Sequence, residues 1–73
     1  MMKIKNKYEE ELEIEVGDWV GFKSDIEQHG KIKSIQRDRK TLILTNKDGF
    51  HGEYIGGDTE TLVWFEDVWK DPT

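Results

Sequence analysis

The sequence predicts an all-β domain, a small and strongly bent barrel of five or six short antiparallel strands with a short helical turn near the C-terminus. Three observations carry this expectation. Apolar residues alternate with charged ones over short runs, the period of half-buried strands. Turn signals built on Gly, Asp and Asn separate those runs at short intervals, as in small β-barrels. The single proline, Pro72, lies outside every predicted strand, so none loses a ladder N–H to it.

A chain of 73 residues fits one domain with one core. Its hydrophobic content of 34% is low, but three Trp, three Phe and two Tyr concentrate apolar area in few positions. Together with the strand pattern, they favour a folded domain over a disordered chain. Residues 1–8 are expected as a flexible N-terminal arm, 9–70 as the barrel and 71–73 as a tail.

Leu12, Ile14 and Val16 alternate with Glu11, Glu13 and Glu15, which predicts a strand over 12–16. Tyr8 and Leu12, four apart, offer a helical turn as the weaker alternative. Gly17-Asp18 then breaks the run. Trp19–Lys23 follows as a strand, with Val20 and Phe22 inward and Trp19, Gly21 and Lys23 outward. Ser24–His29 reads as a polar loop around Ile26, and Gly30 opens the next strand, Lys31–Gln36. There Ile32 and Ile35 are three apart rather than two, the mark of a bulge that lets a short sheet curl. After the polar connection Asp38-Arg39-Lys40, Thr41–Thr45 is a β-rich, central strand. Asn46-Lys47-Asp48-Gly49 predicts a hairpin turn, Phe50–Ile55 its partner strand and Gly56-Gly57-Asp58 another turn. Thr61–Phe65 is the last full strand, and Glu66–Trp69 reads as one helical turn that tucks Val68 or Trp69 against the barrel end.

Charge is unevenly spread behind the net −5. Residues 1–18 carry three Lys against five Glu and one Asp. Residues 19–47 carry five Lys and two Arg against two Asp and one Glu, and residues 48–73 only Lys70 against seven acids. A basic middle thus sits between acidic flanks. Opposite charges on neighbouring strands would complement each other across the sheet. With no cysteine, the chain has neither disulfides nor thiolate metal sites and needs no oxidising compartment. No apolar run approaches the about 20 residues of a membrane span, and no secretory pattern is visible, so a cytoplasmic, non-membrane protein is expected.

Gly17-Asp18-Trp19-Val20 followed by Gly30-Lys31-Ile32-Lys33-Ser34-Ile35 resembles the SH3-like barrels of the KOW and Tudor type. In those, a Gly-Asp turn leads into the first strand and a Gly opens a bent second one. Leu42-Ile43-Leu44 and the Glu66-Asp67-Val68 close fit the same group, over roughly residues 16–69. The resemblance implies a binding scaffold, since such barrels take RNA, DNA, protein tails or partner domains.

Catalytic chemistry finds little support. His29 and His51 lie in polar or Gly-flanked stretches, and neither Ser24 nor Ser34 sits in a nucleophile motif, so both histidines read as surface residues. No enzyme activity and no cofactor are expected. Asp48, His51 and Glu53 are close in sequence but match no established metal site, and no metal is expected. A protein-binding face is the favoured function, with Trp19, Tyr54 and Trp64 as aromatic anchors. The bland alternative is that such aromatics cap the open barrel ends. A methyl-lysine cage of the Tudor kind has no spacing here to mark it. Lys31, Lys33, Arg37 and Arg39, with Lys40 on the same predicted hairpin, form a basic strip over residues 31–40, the edge of that face or, with stacking aromatics, an RNA/DNA-binding surface. The acidic whole opposes long-range attraction to phosphate. A third reading takes Glu9–Glu15 and Asp58–Asp71 as a nucleic-acid mimic of the kind some bacteriophage inhibitors use, against the simpler one of a solvated charged face.

Overall fold

Alternation along each strand sorts side chains onto the two faces of a curled sheet. In the computed structural model, which describes residues 2–23, 27–45 and 60–70, the described residues form seven strands and one 3-10 turn. Strands β1 (Met2–Lys5) and β2 (Glu11–Ile14) pair as an antiparallel hairpin. Strands β3 (Trp19–Lys23), β4 (Glu27–Gln36), β5 (Thr41–Thr45) and β6 (Glu60–Trp64) lie side by side in chain order. The 3-10 turn Phe65–Asp67 then swings the chain back, and β7 (Val68–Lys70) pairs with β3 to give the order β6-β5-β4-β3-β7. Every pairing is antiparallel. The all-β expectation holds.

One core joins the two sheets. Ile4, Leu12 and Ile14 of the hairpin pack with Val20, Phe22, Ile32, Leu42, Leu44, Val63, Phe65 and Val68. Ile14, Leu42 and Leu44 are wholly shielded from solvent, and each such side chain contributes about 1.5–3 kcal/mol by leaving water. The expected bulge is present: pairing of β4 with β5 slips between Ile32 and Ser34. Ile32 stands opposite Leu44 and Ile35 opposite Leu42, so both isoleucines reach the same face despite their odd spacing. The Gly17-Asp18 turn is tied to this bend, with Gly17 N–H donating to Ile32 O at 2.9 Å and Ile32 N–H to Asp18 O at 2.8 Å. Gly17 has φ +99°, a backbone state that disfavours any side chain.

The N-terminal stretch differs most from expectation. Residues 2–5 form β1 rather than a free arm, because Ile4 is an inward core residue between two outward lysines. The hairpin tip is then fastened to the other end of the chain. Asn6 is 5% exposed, and its amide donates to Val68 O at 2.8 Å and Glu10 Oε1 at 3.0 Å. Its side-chain oxygen accepts the N–H groups of Tyr8 and Glu10, both at 3.0 Å. Lys7 N–H donates to Glu66 O, Lys7 Nζ pairs with Asp67 Oδ1 at 3.0 Å, and the Tyr8 ring meets Trp69 edge-on. The Asp67 contact raises the Lys7 pKa.

Other boundaries shift. β4 begins at Glu27 rather than after Gly30. Val16, expected inward, falls in the turn after β2 and is 61% exposed. The helical turn starts at Phe65, one residue early, which leaves Val68–Trp69–Lys70 as a strand with Val68 buried. The Ile26 loop core, the Asn46–Gly49 turn, the Phe50–Ile55 strand and the tail lie outside the described residues.

Candidate functional site

The curl brings three distant segments around one groove of about 520 Å³. One wall is the whole of β1. The second is the turn between β4 and β5, with Arg37, Arg39 and Lys40, and the third is Trp64, Phe65 and Glu66 at the end of β6. Local geometry sets the turn in place. Lys40 adopts φ +56°, and its carbonyl accepts the N–H of Phe65 at 2.8 Å, which locks the basic turn to the end of β6. Thr41, opposite Trp64 in the ladder, is buried and its hydroxyl donates to Gln36 Oε1 at 2.7 Å. Trp64 itself is 53% exposed.

Electrostatically, the groove differs from the surface around it. Five cations (Lys3, Lys5, Arg37, Arg39 and Lys40) meet a single carboxylate, Glu66. Among the described residues, none of those five is held in an ion pair. Three cations elsewhere are ion-paired: Lys7 with Asp67, Lys33 with Glu60 and Lys70 with Asp18. Ile4 and Phe65 supply apolar floor. Lys3 and Lys5 have Glu13 and Glu11 as cross-strand neighbours, yet a patch with an excess of cations, an apolar floor and an accessible indole is suited to an anionic ligand that also carries apolar or aromatic groups.

The expected site residues divide. Arg37, Arg39 and Trp64 meet in the groove. Trp19 and Lys31 stand opposite each other on β3 and β4, away from it, with Trp19 half-buried. Lys33, the residue at the bulge, is bound to Glu60. Tyr54 lies outside the described residues. The sequence reading missed Lys3 and Lys5. The Lys-Ile-Lys alternation at 3–5 is the available trace, but a single inward isoleucine is too short a pattern to mark a strand by itself.

A second hollow, of about 410 Å³, is acidic, with Glu11, Glu13, Glu15 and Asp18 around Lys70. Four carboxylates there face one ammonium, and Asp18 is the one paired with it. Lys70 Nζ donates to Asp18 Oδ2 at 2.7 Å and to Glu13 O at 3.1 Å. The Lys70 contact, helped by the Glu15 N–H, holds the Asp18 carboxyl below its ordinary pKa against the opposing effect of partial burial. On the outer face, Trp69 lies over Gly21, where a Cβ would come within 2.3 Å of its Nε1.

Among the described residues no cluster of three or more His, Cys, Asp or Glu is placed to hold a metal ion, and the Asp48, His51 and Glu53 set lies outside them. No helix among them is long and apolar enough to cross a membrane. Comparison of the chain with protein-family models, curated proteins and solved structures finds no match.

Proposed function

We propose that this chain is a non-enzymatic binding module of the SH3-like type, whose basic groove takes an acidic segment of a partner protein. The SH3-like assignment is supported by the order β6-β5-β4-β3-β7, the bent β4 and the return of β7 to β3 through a 3-10 turn. One observation carries the function: five cations, none ion-paired among the described residues, converge beside an exposed tryptophan, on a molecule whose net charge is −5. Charge complementarity of this kind selects and steers a partner, and the indole is a side chain favoured at interface hot spots. The absence of cysteine suits a cytoplasmic setting.

A second reading is single-stranded nucleic acid, favoured by the placement of Trp64 between the basic turn and β1, as a stacking platform beside phosphate-binding cations. Titration of labelled acidic peptides and of single-stranded DNA and RNA against the purified chain separates the two. The peptide reading expects binding that weakens at least about tenfold in Arg37→Glu/Arg39→Glu, since two favourable contacts become repulsive. Nucleic-acid binding that falls steeply with salt, with no peptide binding, would put the second reading first.

A further inference from the structure

Along the rim of the groove, β1 has an edge that no other described strand pairs with. We propose, resting on the peptide-binding reading above, that the acidic partner segment enters as a third strand added to the free edge of β1, with acids opposite Lys3 and Lys5 and an apolar residue between them opposite Ile4.

Backbone direction follows from two hydrogen bonds. In an antiparallel hairpin, alternate residues aim their N–H and C=O groups at the partner strand and the residues between aim them away. Asn6 N–H donates to Glu10 O across the hairpin at 3.0 Å. The same register puts Ile4 opposite Leu12 and Met2 opposite Ile14, so the main-chain groups of Met2 and Ile4 face β2. Those of Lys3, Lys5 and Lys7 face the other way. Lys7 confirms the direction, since its N–H leaves the hairpin to reach Glu66 O at 2.8 Å. Among the described residues, β1 pairs only with β2. Below the Lys7 contact, Lys3 and Lys5 therefore present to the groove N–H and C=O groups that no described residue pairs with. An extended peptide satisfies such an edge by strand addition.

Side chains specify which strand. Ile4 points to the core, and Lys3 and Lys5 point outward, where they already stand opposite Glu13 and Glu11 on β2. A strand added on the far side places its own outward residues beside the same lysines, where acids attract and bases repel. Its inward residues turn toward the apolar floor made by Ile4 and Phe65. The preferred segment thus alternates acid, apolar, acid. Lysines on an edge otherwise discourage pairing with other strands, and a second copy of β1 would set lysine against lysine. Four residues of strand at about 3.3 Å each span roughly 13 Å, so recognition covers four or five residues. A nucleic acid lacks the alternating amide groups that such an edge pairs with.

The test uses the full chain and a capped, labelled nonapeptide of alternating Glu and Leu, read by fluorescence anisotropy. Two further versions carry N-methyl groups on one or the other alternate set of amides. Strand addition expects one set to weaken binding by roughly tenfold, from loss of the inter-strand hydrogen bonds, while the other set stays within about twofold. Equal effects of the two sets, both tolerated or both lost, overturn strand addition while leaving groove binding in place. No binding of the unmethylated peptide overturns the peptide reading as well. On the protein side, Lys3→Pro removes the outward N–H without touching the β1–β2 ladder. It should bind at least about threefold more weakly than Lys3→Ala, given the lost hydrogen bond. Equal affinity of the two variants counts against the proposal.

Discussion

Asn6→Ala tests how the groove wall is held. The Asn6 side chain uses its whole hydrogen-bonding capacity, donating to Val68 O and Glu10 Oε1 and accepting from Tyr8 N–H and Glu10 N–H. Truncation strands the buried Val68 carbonyl and two turn amides. At about 1 kcal/mol net per bond, with the exposed Glu10 contact discounted and some rescue of the turn amides by water, the loss is about 2–4 kcal/mol. A domain this size holds roughly 4–11 kcal/mol in all, so the loss takes a large share of the total stability. The melting temperature should fall by roughly 8–30 °C. Urea unfolding followed by circular dichroism is the assay, with an unchanged slope to show that the denatured state is the same. Asn6→Asp sharpens the result: it keeps both acceptors, loses both donors and places a carboxylate beside Val68 O and Glu10. It should therefore be less destabilised at acid pH, where that carboxyl is neutral. A loss below about 0.5 kcal/mol for Asn6→Ala would refute the reasoning, because the hairpin would then be held by its apolar contacts alone.

Further outcomes follow from the same geometry. Gly21→Ala forces a Cβ against the Trp69 indole, and displacement of the ring should cost about 1–3 kcal/mol; a melt equal to wild type with unaltered Trp69 side-chain NMR signals would contradict the close approach. The Lys70 contact lowers the folded-state pKa of Asp18, so it adds stability above the ordinary carboxylate range that is lost as pH falls through the lowered value. Asp18→Asn should accordingly flatten the acid limb of the stability profile below about pH 4, and an unaltered limb argues that the pair is broken in solution. Trp64→Ala should leave stability within about 0.5 kcal/mol, since the indole is half exposed, while weakening peptide binding. A collapse of the melt in that variant would make Trp64 a structural residue instead.

Particular residues show how far the sequence could be read. Alternation at Leu12–Ile14 and at Val20–Phe22 fixes which side faces the core, because a strand with one buried face has no freedom of register. The bend at Ile32–Ile35 was visible as a spacing fault. Arg37, Arg39 and Trp64 were named as site residues, but nothing local says that the turn and the end of β6 share a groove. That depends on the Phe65–Lys40 main-chain bond, which joins residues 25 apart in the chain. β1 was illegible for a different reason. Four residues with a single inward apolar side chain carry too little periodicity, and Asn6 reads as an ordinary turn residue until its partner at Val68 is known. The sequence makes Trp19 an anchor candidate and sets Trp69 in a helical turn at the barrel end. Trp69 is absorbed by Gly21 and Tyr8, a contact that no spacing announces.

The central claim, that the groove between β1, the basic turn and Trp64 receives an acidic peptide, is tested most directly by backbone and indole NMR shifts of the labelled chain during titration with the alternating Glu-Leu peptide. The account predicts saturable shifts concentrated at residues 3–5, 37–40 and 64–66, with the Trp64 indole among the largest. Shifts concentrated on Trp19, Lys31 and their neighbours, or none at all, would contradict it.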